Sequence, residues 1–175
     1  MPIEEYLFFV LETILMGLWW WFLVRRLRLN GEFKSRRSVR LVSTAILAAV
    51  WSLAISVFIA GWRPATYLSL ILVWALPAIS LQLAFGADIL WHYRKLISLA
   101  ILPVFLYLSA VDALAISSGT WTINPLQSLR VFIGPLPVEE AVFFLITVII
   151  ISFGMTLALA PLSKERWMNW FPVPS

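Results

Sequence analysis

Pro137 to Ala160 reads P-V-E-E-A-V-F-F-L-I-T-V-I-I-I-S-F-G-M-T-L-A-L-A, with no charge after the two glutamates. A helix rises ~1.5 Å per residue, so about 20 apolar residues cross the ~30 Å hydrocarbon layer of a bilayer. The apolar run is continuous and lacks the alternation of a lipid-facing barrel strand. It therefore reads as a spanning helix over Val138 to Ala160. Four other stretches have the same character: Ile3 to Val24, Leu41 to Ala60, Thr66 to Phe85 and Leu96 to Ile116. The expected fold is all-α, a polytopic membrane helical bundle of about five transmembrane helices.

Composition agrees. Hydrophobic residues make up 62% of the 175 positions and charged residues 13%, against roughly half and a quarter in a soluble domain. There is no cysteine and one histidine, His92, which excludes disulfides, thiolate metal sites and multi-histidine centres built from this chain. No Gly-x-Gly-x-x-Gly run is present for a dinucleotide, and no aspartate-rich cluster for magnesium and a diphosphate. Neither a metal nor a cofactor is expected. The net charge of +4 comes from basic loops between apolar segments, which suits membrane orientation and not a nucleic-acid partner. Glu4 and Glu5 stand where a cleavable signal would be basic, so targeting is expected from the first helix itself.

Those basic loops set an orientation. Arg25, Arg26, Arg28, Lys34, Arg36, Arg37 and Arg40 occupy the first connection, Arg94 and Lys95 the third, Lys164 and Arg166 the tail. The second and fourth connections hold Arg63 and Arg130 alone, a division of eleven to two. The positive-inside rule makes the basic segments cytoplasmic and the N-terminus external. Glu4, Glu5, Asp112, Glu139 and Glu140 then approach the outer leaflet from three helices, while Glu32, Asp88 and Glu165 lie on the cytoplasmic side. Glu12 lies seven residues after Glu5, on a similar helix face and ~10 Å deeper. Trp19, Trp20 and Trp21 read as residues of the interfacial aromatic belt.

One internal echo stands out. Pro2-Ile3-Glu4-Glu5-Tyr6-Leu7-Phe8-Phe9 recurs as Pro137-Val138-Glu139-Glu140-Ala141-Val142-Phe143-Phe144. Proline at the first helical position and acids in the first turn are ordinary helix-start chemistry. Two copies with matching offsets carry more. The i,i+4 relation sets Glu139 beside Phe143 and Glu140 beside Phe144, and likewise Glu4 beside Phe8 and Glu5 beside Phe9. Acids at membrane depth are functional candidates, and burial disfavours their charged form. A further segment, Asp112-Ala113-Leu114-Ala115-Ile116-Ser117-Ser118-Gly119-Thr120-Trp121, precedes the second copy.

Together these residues resemble the integral-membrane, flavin-independent lycopene cyclase family of bacteria, archaea and fungi. The repeated Pro-x-Glu-Glu-x-x-Phe-Phe motif and the Asp112-to-Trp121 segment carry the resemblance. A weaker likeness lies in Leu72-Val73-Trp74-Ala75-Leu76-Pro77 followed by Gln82 and Gly86. The resemblance extends from Pro2 to about Ala160 and implies a cyclase-like membrane domain over residues 1–160. Its first repeat is incomplete, its second spans about 96–160, and residues 161–175 form a cytoplasmic tail. Single-chain family members begin with further helices, so the chain looks like their C-terminal two-thirds. The resemblance leaves open whether it acts alone, with preceding helices, with a second cyclase subunit or as a homo-oligomer. Glu12 departs from the uncharged polar residue expected there.

The activity implied is redox-neutral, acid-catalysed cyclisation of lycopene end groups to β-type or ε-type rings in carotenoid biosynthesis. Such chemistry needs a carboxylic acid, a base, an apolar tunnel and aromatic faces for a cation. Glu139, Glu140, Glu4 and Glu5 are the candidate donor and acceptor, with Asp112 positioning them or sharing their protons. Phe143, Phe144, Phe8, Phe9 and Trp121 are the candidate lining of the substrate site. The substrate is a lipophilic carotenoid inside the bilayer. Intramembrane acids also suit a proton-coupled transporter, and the resemblance also fits a non-catalytic assembly subunit.

Overall fold

A computed structural model describes residues 3–27, 32–120, 124 and 126–170; the side chains of Glu4, Glu5 and Trp170 fall outside that description. Five long helices form the molecule: α1 (Ile3–Arg26), α2 (Arg37–Ile59), α3 (Thr66–His92), α4 (Arg94–Ser117) and α5 (Val138–Leu159). Each is long and apolar enough to cross a membrane. Helix α5, the most apolar, takes the centre and packs against α1, α3 and α4. Helix α2 packs on α3 and buries only Ala54 fully, so its apolar surface is left for lipid. Contacts advance in step along α1 and α5, from Phe8–Phe144 to Trp20–Thr156. They advance likewise along α3 and α5, from Tyr67–Glu140 to Gln82–Ile150. Helices α1, α3 and α5 therefore run parallel, with α2 and α4 returning between them.

Two helices carry an interior proline, and a neighbour repairs each. Pro77 has no N–H for the Val73 carbonyl, one turn back, and Pro103 none for Leu99. The Trp51 indole of α2 donates to the Val73 carbonyl at 2.9 Å. The Trp19 indole of α1 donates to the Leu99 carbonyl at 3.0 Å. Trp20 also points inward, donating to the Thr156 hydroxyl at 3.1 Å from a buried position. The interfacial-belt reading thus fails for Trp19 and Trp20, because unsatisfied acceptors inside the bundle outrank the headgroup layer as partners. Trp21 is exposed, with the Arg25 guanidinium 3.7 Å above its ring.

Three boundaries differ from the expectation. Helix α3 does not stop at Phe85 but continues to His92 through a bend at Gly86. There α3 and α5 approach so closely that a Cβ on Gly86 would strike Leu157. Asp88 consequently lies inside a helix, buried, and not in a connection. The tail is not plain chain either: α6 (Pro161–Trp170) folds back on α5 and α3. Its Arg166 forks onto Asp88 at 2.8 and 2.7 Å. The Arg36 N–H at 3.1 Å and the Ser35 hydroxyl at 3.3 Å bond the same carboxylate. Pro137, finally, is extended (φ −61°, ψ 144°) and precedes α5 instead of opening it.

Candidate active site

At the opposite end of the bundle, a short hairpin delivers the chain into α5. Strands β1 (Phe132–Ile133) and β2 (Leu136–Pro137) pair antiparallel around a tight turn. Gly134 adopts φ +63° there, a conformation open to glycine at little cost. The hairpin sets the preceding loop over the first turn of α5. The Leu129 N–H donates to Glu139 Oε1 at 2.6 Å. Arg130, next in the chain, holds φ +58°; a left-handed non-glycine residue beside a buried acid is the kind of strain that gathers at functional sites. Glu139 is fully buried, and its Oε2 has no hydrogen-bond partner among the described residues. The Tyr67 hydroxyl, from the first turn of α3, donates to Glu140 Oε1 at 2.7 Å. Asp112 of α4 is buried and within electrostatic reach of both Tyr67 and Glu140. Helices α4 and α5 thus bring three acids together beside Tyr67 of α3, and the α5 N-terminus favours negative charge at Glu139 and Glu140.

Beneath those acids the two copies of the motif meet. The Phe8 ring centroid lies 5.9 Å from Phe144 and the Phe9 centroid 5.8 Å from Phe143. Within each copy the rings are 5.8 and 5.5 Å apart. The cross pairs exchange when the copies are exchanged, so α1 and α5 are related by a local pseudo-two-fold axis. Four rings at edge-on and tilted angles make a closed aromatic cluster. One turn deeper, Glu12 and Thr147 face each other, Thr147 Oγ1 lying 2.5 Å from Glu12 Oε1. Their separation of 135 residues is the offset of the motif itself.

Of the other candidates, Glu4 and Glu5 lie in the first turn of α1, with side chains outside the described set, and Trp121 lies outside the described residues. Among the described residues no three His, Cys, Asp or Glu side chains converge on a metal position.

The chain is similar to the lycopene beta-cyclase of Halobacterium salinarum, with 34% identity over 170 residues, 95% of this chain and 68% of that protein. The chain belongs to the lycopene beta-cyclase family. It is similar also to bifunctional lycopene cyclase/phytoene synthases of Aspergillus niger and Leptosphaeria maculans. Identity to both is 34%, covering 88% and 99% of this chain but 27% and 32% of those proteins. No family model and no solved structure matches it.

In this family member three site features escape the sequence. Tyr67 belongs to the second connection's edge, where a tyrosine reads as an interfacial anchor; its bond to Glu140 depends on the packing of α3 against α5. The Leu129 N–H is a backbone group and leaves no trace in side-chain chemistry. Thr147 is one hydroxyl in an apolar run, and only its offset of 135 residues from Glu12 could have singled it out.

Proposed function

We propose that the chain is a carotenoid cyclase that closes linear lycopene end groups into β-type rings by acid catalysis, with no net redox change. The cluster of Phe8, Phe9, Phe143 and Phe144 beneath Glu139, Glu140 and Asp112 carries this reading. An acid adds a proton to the terminal double bond of the polyene, leaving a tertiary carbocation. A double bond within the same end group attacks it, and the ring-closing carbon–carbon bond forms. Loss of a proton from the carbon beside the displaced cation restores a double bond, so one proton enters and one leaves. The phenylalanine faces stabilise the passing cation, by on the order of 2 kcal/mol for each well-placed desolvated ring. Exclusion of water by the apolar bundle keeps the cation from being trapped as an alcohol.

Glu139, Glu140, Glu4 and Glu5 are the donor and acceptor set in this proposal, with Asp112 sharing or positioning their protons and Trp121 completing the substrate lining. The cyclase-like domain comprises residues 1–160, with repeats related by the motif. The N-terminus and the acid-bearing end face outward, the basic loops face the cytoplasm, and a second cyclase subunit or a second copy of this chain is the partner. Expression of the complete reading frame in lycopene-accumulating cells, followed by chromatographic pigment analysis, tests the activity. Cyclic carotene is expected; persistence of lycopene alone would sink the enzyme reading. Glu139→Gln combined with Glu140→Gln is expected to lower cyclisation at least ~100-fold, and unchanged pigment would reject the site.

A further inference from the structure

Tyr67 is the side chain at the acid-bearing end that the repeated motif leaves unexplained. Its hydroxyl, on the first turn of α3, gives its one proton to Glu140 Oε1 at 2.7 Å. The backbone is held as well: the Tyr67 N–H donates to the Gln127 carbonyl at 3.2 Å. The same loop gives the Leu129 N–H to Glu139, and its Val131 carbonyl accepts the Val138 N–H at 2.9 Å. Residues 127–131 therefore brace the first turn of α3 against the first turn of α5. The Tyr67 ring borders the apolar cluster around Ile71 and Ile146, which Phe143 borders too. The hydroxyl is thus fixed through both its backbone and its ring. The two glutamates of α5 are unequally equipped. Glu139 is fully buried, with one oxygen unpartnered among the described residues, a setting in which charge is costly. Glu140 is partly exposed and accepts an O–H bond, which suits a proton-taking carboxylate. A glutamate turns about three side-chain bonds; the bond to Tyr67 selects one position of its carboxylate.

What a fixed base decides is the ring type. Ring closure leaves the positive charge on a tertiary carbon with C–H bonds on three neighbours. These are the ring carbon that joins the polyene, the ring methylene and the methyl group. Loss of a proton from the first gives a β-type ring, and from the second an ε-type ring. We propose, on the basis of the cyclase reading, that Tyr67 sets this choice by holding Glu140 where it takes the proton from the polyene-bearing carbon alone. The C–H bond at that carbon breaks toward Glu140, its electron pair becomes the ring double bond, and the cation is discharged. One proton entered at the start and one now leaves, so there is no net redox change. Tyr67 itself transfers nothing: it is a positioning residue that acts through Glu140.

The test compares wild type, Tyr67→Phe, Glu140→Asp and the double variant as complete proteins in lycopene-accumulating cells, each quantified in the membrane. Extracted carotenes are sorted by ring type with chromatography and absorption spectra. Wild type is expected to form β-type rings. Tyr67→Phe keeps the packing and frees Glu140. The proportion of rings of other types is expected to rise at least ~10-fold, for the loss of one hydrogen bond to a charged group. Glu140→Asp draws the carboxylate back from Tyr67 and is expected to release the same isomers. In the double variant the shift should be no larger than in either single one, because both remove one contact. A merely structural role would lower the yield and leave the ring type unchanged. β-type rings alone from Tyr67→Phe, or no rings from it at wild-type abundance, overturn the proposal. Should that variant not accumulate, β-type rings alone from Glu140→Asp overturn it equally. Additive shifts in the double variant reject action through Glu140, and mixed rings from wild type reject a fixed base. Absence of cyclic carotene from wild type rejects the cyclase reading itself, and the choice of ring with it.

Discussion

Val73 and Leu99 have carbonyl oxygens that their own helices cannot satisfy, because Pro77 and Pro103 stand where the donors should be. In hydrocarbon no water substitutes for the lost donor, so an indole from a neighbouring helix is worth more here than its packing area alone. Trp51→Phe and Trp19→Phe keep most of the ring and remove the donor. Each is expected to lower stability by about 0.6–1.7 kcal/mol, the range of interhelical hydrogen bonds in membranes, read by unfolding in mixed micelles. Pro77→Ala restores an N–H to Val73, so Trp51→Phe should cost less in that background. An equal cost in both backgrounds would show that the hydrogen bond is not what Trp51 supplies. The sequence shows both prolines and both tryptophans, yet the partners are 22 and 80 residues apart and no local periodicity pairs them. The Glu-Glu and Phe-Phe positions were legible for the opposite reason: a helix fixes i,i+4 neighbours, and a second copy repeats the spacing.

The elements behave similarly. Spanning segments were placed by hydropathy, which reports what lipid accepts, and the cores of all five were legible in it. Helix ends were not, because Gly86 and Asp88 interrupt the apolar run, whereas α3 only bends at Gly86 and continues to His92. What lets α3 continue is Arg166, which comes from α6 and neutralises Asp88 where the two side chains are 9% and 1% exposed. Arg40 Nε stands 3.9 Å from the same carboxylate. Removing one partner of a buried pair leaves the other charge uncompensated, typically at about 3–5 kcal/mol. Arg166→Gln is expected near the lower end, since the Arg36 N–H and the Ser35 hydroxyl still bond Asp88. It should also detach α6, seen as new protease cleavage between Ala160 and Trp170. Asp88→Asn together with Arg166→Gln should be less damaging than Arg166→Gln alone; additive losses would mean that the pair does not hold α6 in place.

At the scale of the whole molecule, the charges segregate along the bundle. Asp88 gathers Arg36, Arg40 and Arg166, from the first connection, α2 and α6, at one end. Tyr67, Asp112, Glu139 and Glu140 gather at the other. This polarity fixes which segments share a side, and the lysine and arginine distribution argues which side is the cytoplasm. The chain lacks cysteine, so a single introduced thiol reports its own location. Ser118→Cys follows α4 at the acid-bearing end and Asn169→Cys lies on α6 at the basic end; both positions are exposed. On intact cells a membrane-impermeant thiol reagent is expected to label Ser118→Cys and to spare Asn169→Cys until the membrane is opened. The reverse pattern would invert the bundle and put the acid-bearing end of the site on the cytoplasmic face. The two orientations differ in chemistry as well as in address. With the acids outward, protons lost by the outer carboxylates exchange with the external medium. Acidifying that medium should then alter the cyclisation rate in cells whose cytoplasmic pH is held constant. A rate that follows cytoplasmic pH alone would contradict the outward placement even if thiol labelling favoured it.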